Sequence, residues 1–278
     1  MPKTFFPVVR IAKYTLMDEV RQRSFIIMLA ICALFIFLVR GCYQCSLTVN
    51  GQQLDPEAVV RVVSTLNFHV ITVGAMLLVA LLSMRVLKRD REDGMQSSIL
   101  SKPIVRWQYV AGKILGLWAI SLIFMFILHT IVFVIASLNL NALTPEYLAA
   151  SLLSSFNLLF VIIAVLLLSL LMSDVFAFLC VLGIGIVGVV ADTIHTISNS
   201  PLAQVMIGVA VPQPGWTWWK VFYFLWPKLS GAERFASSFI GGEGLPEWAA
   251  LYPLVNIIFY IVILGALLFW RFQSEDII

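Results

Sequence analysis

Six long apolar runs constrain this chain more than anything else in it: Ser24–Val39, Phe68–Leu87, Ile114–Leu138, Tyr147–Met172, Val175–Ala191 and Leu251–Trp270. A hydrocarbon core of roughly 30 Å is crossed by about 20 helical residues. Inside lipid no water satisfies open backbone groups, so such runs must be helices. None alternates apolar with polar residues, as barrel strands do. Across its 278 residues the chain is 61% hydrophobic and only 12% charged, against about 25% charged in soluble domains. These features predict an all-α integral membrane protein. It forms one transmembrane domain over residues 1–278, with transmembrane helices at 24–39, 68–87, 114–138, 147–172, 175–191 and 251–270.

Lys and Arg set the expected orientation. Placing the N-terminus inside puts 13 of the 18 basic residues on the inner segments and 5 on the outer ones. The positive-inside rule then makes both termini cytoplasmic. A net charge of +3 requires no nucleic acid as partner, while membrane lipids are obligatory. The first run is preceded by a long segment holding Asp18 and Glu19, and no small-residue cleavage site follows, so it reads as an uncleaved helix rather than a signal peptide.

Residues 1–23 form an amphipathic cytoplasmic lead-in. Val9, Ala12, Leu16 and Val20 recur at helical spacing among Arg10, Lys13, Arg21 and Arg23. A helix of this kind lies in the interface plane; a frayed basic tail is the plainer alternative. The long stretch 192–250 carries five of the eight tryptophans together with Pro212, Pro214, Pro227 and Pro246. Tryptophan favours the headgroup level, and 201–211 is apolar but too short to span, so re-entrant or interfacial segments are expected in an extracytoplasmic region.

No motif for catalysis or metal binding emerges. Gly183, Gly185 and Gly188 spell a dinucleotide fingerprint, but they sit inside a spanning run, where small residues more often serve close helix packing. Gly112-Lys113 is no phosphate loop, because Trp107 and Ile114 occupy its required Gly and Ser/Thr positions. No nucleotide or other cofactor site is therefore expected in this chain. Cys42 and Cys45 are spaced for a local disulfide, or remain inert thiols; a metal site would need more ligands. His129 lies within the third run, where an ionisable group is a functional candidate by default. Asp192 and His195 are one turn apart at the outer end of the fifth run, either as a pair at the mouth of a path or as interfacial caps. Asn157 and Asn256 are among the few polar groups available to a path. No ring of like charges marks an ion route, which favours a hydrophobic or amphiphilic cargo.

The segment 88–113 is unlike its surroundings. Charged residues close the second run, Asp93-Gly94 signals a turn, "MQSSIL" has the length of two helical turns, and Pro103 ends it. A second helical segment begins at Arg106 and runs through Gly112 and Gly116, which permit close approach of another helix. This reads as a short helix across the cytoplasmic mouth, presented to a soluble partner, or else as a solvated loop. Here the chain resembles permease subunits of ABC-2 type ABC transporters, whose pattern "E-x-x-G-T-L-E-L-L-L-S-x-P-x-x-R-x-x-x-L-G-K" is matched in place by Gly94, Ile99, Leu100, Ser101, Pro103 and Arg106, with Glu92, Gly112 and Lys113 each one position away from the pattern's acidic residue and G-K. "RIAKYTLMDEVRQRSF" resembles the family's elbow helix. "FYFLWPKLSGAERF" is similar to a segment in the branch that includes permeases linked to copper-enzyme maturation.

The resemblance implies a dimeric six-helix exporter subunit in a bacterial or archaeal inner membrane, paired with a second permease copy or a paralogue. ATP and Mg would be held by a separate cytoplasmic ATPase. The coupling helix around Met95–Leu100 would dock there, with Glu92, Gly94, Met95, Ile99, Leu100, Pro103 and Arg106 as the contact set. Met95-Gln96-Ser97 replaces the family's Thr-Leu-Glu, removing one acidic contact. A membrane scaffold that recruits a soluble partner through the same segment is the rival reading.

Overall fold

The computed structural model describes residues 5–21, 26, 29–30, 34, 41, 48–49, 52–53, 56–92, 94, 104–140, 145–198, 223–240 and 251–274. The expected first spanning helix, 24–39, falls almost wholly outside them, as do Cys42 and Cys45. Five described helices are long and apolar enough to cross a membrane. In chain order the elements are α1 (Phe5–Arg21), the paired β1 (Thr48–Val49) and β2 (Gln52–Gln53), α2 (Pro56–Glu92), α3 (Arg106–Leu140), α4 (Glu146–Leu171), α5 (Asp174–Ser198), α6 (Leu229–Ser238) and α7 (Tyr252–Gln273). The strands pair antiparallel, Thr48 opposite Gln53 and Val49 opposite Gln52.

Two spanning helices are longer than hydropathy predicts. α2 begins at Pro56 rather than near 68, so 56–67 is helix and not connection. Proline suits a helix start because its missing N–H would be unbonded there anyway. Glu57 then reaches Arg61 one turn on, at 3.9 Å, and Val59, Val60 and Val63 pack with Ala136 of α3. Arg61, Ser64 and Asn67 lowered the apolar signal without breaking the helical period. α3 likewise starts at Arg106, extending the spanning helix through the segment expected to lead into it. Gln108 secures that start: its side-chain Oε1 accepts from Val105 N at 3.1 Å, and its own N donates to Val105 O at 2.9 Å.

α4 is the centre of the bundle. It is apolar on all sides, the pattern of a wholly buried helix, and 72% of its spanning window is buried against 17% for α7 and 22% for α5. α2, α3, α5, α6 and α7 all pack on it. α4 and α5 are joined by Met172 and Ser173 alone, which makes the tight hairpin foreseen there.

α1 packs along the start of α3, which approaches it through Gly112 and Gly116. The face it buries is Val8, Ile11, Thr15 and Glu19, one position away from the expected stripe. Val9 and Val20 are instead exposed at 53% and 41%. The glycines decide this register, because they admit the α1 backbone itself.

α6 is the second departure. Within the region expected to be extracytoplasmic, residues 229–238 form a helix packed into the bundle against α4, α7, α5 and α2, with Leu229, Ala232, Glu233, Phe235 and Ala236 buried. Residues 201–211, the expected re-entrant piece, lie outside the described residues.

Candidate functional site

Polar side chains concentrate at the two ends of the bundle. The basic end gathers α1, the end of α2, the start of α3 and the α4–α5 hairpin. Arg89 on α2 donates to Asp18 at 2.6 Å and to Glu19 at 2.8 Å, both on α1. Glu19 is only 1% exposed, and its burial raises its pKa above the usual carboxylate value although Arg89 pulls it down. Next to it, Lys113 on α3 meets Asp90 on α2 at 2.6 Å, with both side chains under 5% exposed. The Tyr109 hydroxyl donates to the same Asp90 oxygen. At the hairpin, Lys88 lies 3.8 Å from Asp174, the first residue of α5. Arg106 Nη1 donates to the carbonyl of Gln273 on α7 at 3.0 Å. Both flanks of the 93–105 segment are therefore tied to one ionic hub, and α1 is tied to it as well.

The sequence-named loop residues divide accordingly. Glu92 is the exposed last residue of α2. Gly94 has φ 64, the left-handed conformation in which glycine ends helices, so the turn read at Asp93-Gly94 is present. Arg106 opens α3. Met95, Ile99, Leu100 and Pro103 lie outside the described residues.

The opposite end is built around α6. α5 rises about 1.5 Å per residue, which sets Asp192 about 27 Å beyond Asp174. Its carboxylate meets Lys228 Nζ at 3.0 Å and Arg234 at 3.1 Å. Lys228 also lies over the Tyr223 ring, 2.8 Å from its centroid, and burial pushes the Tyr223 hydroxyl pKa up to about 12, with Asp192 adding to the shift. Glu233 accepts from or pairs with His69 Nδ1 of α2 at 2.8 Å. Asn157 Nδ2 donates to Leu229 O at 3.1 Å, and Asn256 Oδ1 accepts from Lys228 N at 3.0 Å. The two asparagines, named in the sequence as path residues, thus tether the start of α6 to α4 and α7. Asp192 is engaged by α6 and its approach, while the side chain of His195 lies outside the described residues.

Two further expectations concern His129 and the glycines of α5. His129 is fully buried, with Nδ1 2.7 Å from Ser151 Oγ on α4 and its ring stacked on Phe68 of α2 at 4.8 Å. It joins three helices. Among the described residues, a Cβ at Gly183 or Gly185 would meet nothing within 4 Å, so no described helix packs closely on either. Gly188 alone has neighbours, Trp226 and Pro227, at an ordinary 3.5–3.6 Å. Close approach belongs to Gly112 and Gly116 instead.

The model described as ABC-2 family transporter protein matches residues 9–277, nearly the whole chain. The chain belongs to that family. It is thus a membrane component of a transporter. A search of curated proteins found no match.

Sequence reasoning did not find the partners of the ionic layers. Lys228 and Asp192 are 36 residues apart and Glu233 and His69 are 164 apart, so no local spacing announces them. One signal was available: a charged side chain within or beside an apolar run must find a partner, and Asp192, directly after the fifth run, qualifies.

Proposed function

We propose that this ABC-2 family protein is the membrane-spanning permease subunit of an ATP-driven exporter, working with a separate cytoplasmic ATPase that docks on the 93–105 segment. The basic end then faces the cytoplasm. The observation that carries the reading is the hub itself. Asp90–Lys113 and Arg89–Asp18/Glu19 join the two helices flanking that segment to the elbow helix, so a push on it is delivered to α1, α2 and α3 together. A change of helix arrangement requires unequal binding to two states, and ATP on the partner supplies the inequality. Such an exporter works as a dimer with a second copy or a paralogue.

A hydrophobic or amphiphilic cargo is supported by a groove of about 280 Å³ between α2 and α5, lined by Val73, Met76, Leu77, Phe178 and Leu182 with Glu233 at its edge. The test is co-purification with the ATPase and its dependence on Leu100. Leu100→Asp is expected to abolish ATPase association while the permease still inserts in the membrane. A variant that holds the ATPase at wild-type level refutes the docking assignment. A wild-type chain that retains no ATPase when the two are co-expressed refutes the exporter reading.

A further inference from the structure

At the basic end, α1, α2 and the α4–α5 hairpin enclose a cleft of about 660 Å³, a size typical of ligand sites. Its polar rim holds Glu19, Arg85, Lys88, Arg89, Glu92 and Asp174, and its wall is made by Leu78, Leu81, Leu82 and Val175. Among the described residues the rim is balanced at three cations and three carboxylates. Glu19 is engaged by Arg89 at 2.8 Å, and Asp174 by Lys88 at a loose 3.8 Å. Among the described residues Arg85 and Glu92 form no ion pair. They lie seven residues apart, two turns along the same face of α2.

Depth identifies what fills such a cleft. Between Arg61 and Arg85, α2 has 23 residues without Asp, Glu, Lys or Arg, about 34 Å of helix. That length matches a hydrocarbon core of roughly 30 Å. Arg85 is therefore the first formal charge at headgroup level, and Leu78, Leu81 and Leu82 lie just inside the core. Polar rim and apolar wall meet at the depth where a phospholipid changes character.

We propose that this cleft binds one zwitterionic aminophospholipid of the phosphatidylethanolamine type from the adjoining leaflet. Its phosphate sits on Arg85 and Lys88, its primary ammonium on Glu92, and one acyl chain follows Leu78, Leu81, Leu82 and Val175. The charge balance selects this headgroup. An anionic phosphatidylglycerol leaves Glu92 facing negative charge. A phosphatidylcholine has no N–H to donate to that carboxylate. The site goes beyond the transport reading and does not depend on the ATPase.

The test uses the full chain alone, purified in detergent, stripped of lipid and offered equal amounts of phosphatidylethanolamine, phosphatidylglycerol and phosphatidylcholine, with bound lipid counted by native mass spectrometry. One phosphatidylethanolamine per chain is expected to be retained ahead of the other two. Arg85→Ala reduces that retention about fivefold, the worth of one basic residue at a membrane surface, and Arg85→Lys keeps most of it. Glu92→Gln removes the preference over phosphatidylcholine and leaves some binding. Both residues are exposed, so neither variant threatens folding. Equal retention of all three lipids, a preference for phosphatidylglycerol, or wild-type retention by Arg85→Ala overturns the proposal. Displacement of the lipid by an equal concentration of soluble glycerophosphoethanolamine overturns it too, because the apolar wall then contributes nothing.

Discussion

The contact between α1 and α3 yields the sharpest prediction. A Cβ placed on Gly116 would sit 2.7 Å from Thr15 Cβ and 2.8 Å from the carbonyl oxygen of Ala12. On Gly112 it would sit 2.7 Å from two atoms of Ile11 and 3.1 Å from Val8 O. At Gly116 one of the obstacles is backbone, so no rotamer change relieves the clash and α1 itself must move. Overpacking of this kind costs about 1–3 kcal/mol. The displacement also strains Arg89, whose two carboxylate partners ride on α1. Gly74, midway along α2, is the control: a Cβ there meets nothing within 4 Å. Gly74→Ala should be neutral or stabilising by about 0.5–1 kcal/mol, because it only removes backbone freedom from the unfolded chain. The assay is thermal unfolding in detergent beside limited trypsin digestion, which reports α1 through exposed Arg10 and Lys13. Gly116→Ala should melt earlier than wild type and be cut sooner in α1, while Gly74→Ala should melt no earlier and be cut no sooner. A Gly116→Ala protein that melts at the wild-type temperature with α1 equally protected refutes the close approach and the register drawn from it.

Three further outcomes follow from the ionic layers. Lys113→Met leaves Asp90 buried without its cation, which typically costs about 3–5 kcal/mol; adding Asp90→Leu should recover most of that, and a denaturant double-mutant cycle without such recovery counts against the buried pair. Burial raises the Glu19 pKa above its ordinary 4.5, so between 4.5 and the raised value the folded state binds more protons than the unfolded one. Its favourable contribution is full below pH 4.5 and is lost as pH rises through the folded pKa, and Glu19→Gln should flatten that slope in melts across the range; an unchanged slope means that Glu19 is not buried. Asn157→Leu leaves the Leu229 carbonyl without its donor, a loss of about 1–3 kcal/mol for a buried group, and should speed labelling of a cysteine introduced at Ser237; unaltered labelling would mean that Asn157 does not tether α6.

Much of the bundle was legible in the sequence because lipid removes alternatives. An apolar run of spanning length has helix as its one means of satisfying its backbone, and α4, α5 and α7 begin within one residue of their hydropathic edges. The misses share a cause. Pro56–Asn67 is helical by contacts with α3, while its charged and polar residues depress any running average of hydropathy; the helix start at Arg106, by contrast, was read correctly. The α1 register was missed by one position because the buried face is chosen by two glycines a hundred residues downstream. A periodicity count sees which α1 side chains are greasy. It does not see where a partner backbone offers a groove.

The same distinction governs the candidate site. Two features between Glu92 and Lys113 were readable since their signals are local: the turn glycine Gly94 and the helix start at Arg106. The function of the flanks of that segment was not, because that resides in pairs such as Asp90–Lys113 and Arg89–Glu19, whose members lie on different helices. The family pattern ends at "G-K", and the fold gives each of those two residues a separate mechanical task. Gly112 lets α1 approach and Lys113 fastens α3 to α2. A glycine for contact beside a lysine for attachment couples the elbow helix to the segment it accompanies. Losing either should therefore loosen α1 from the hub before it unfolds the bundle.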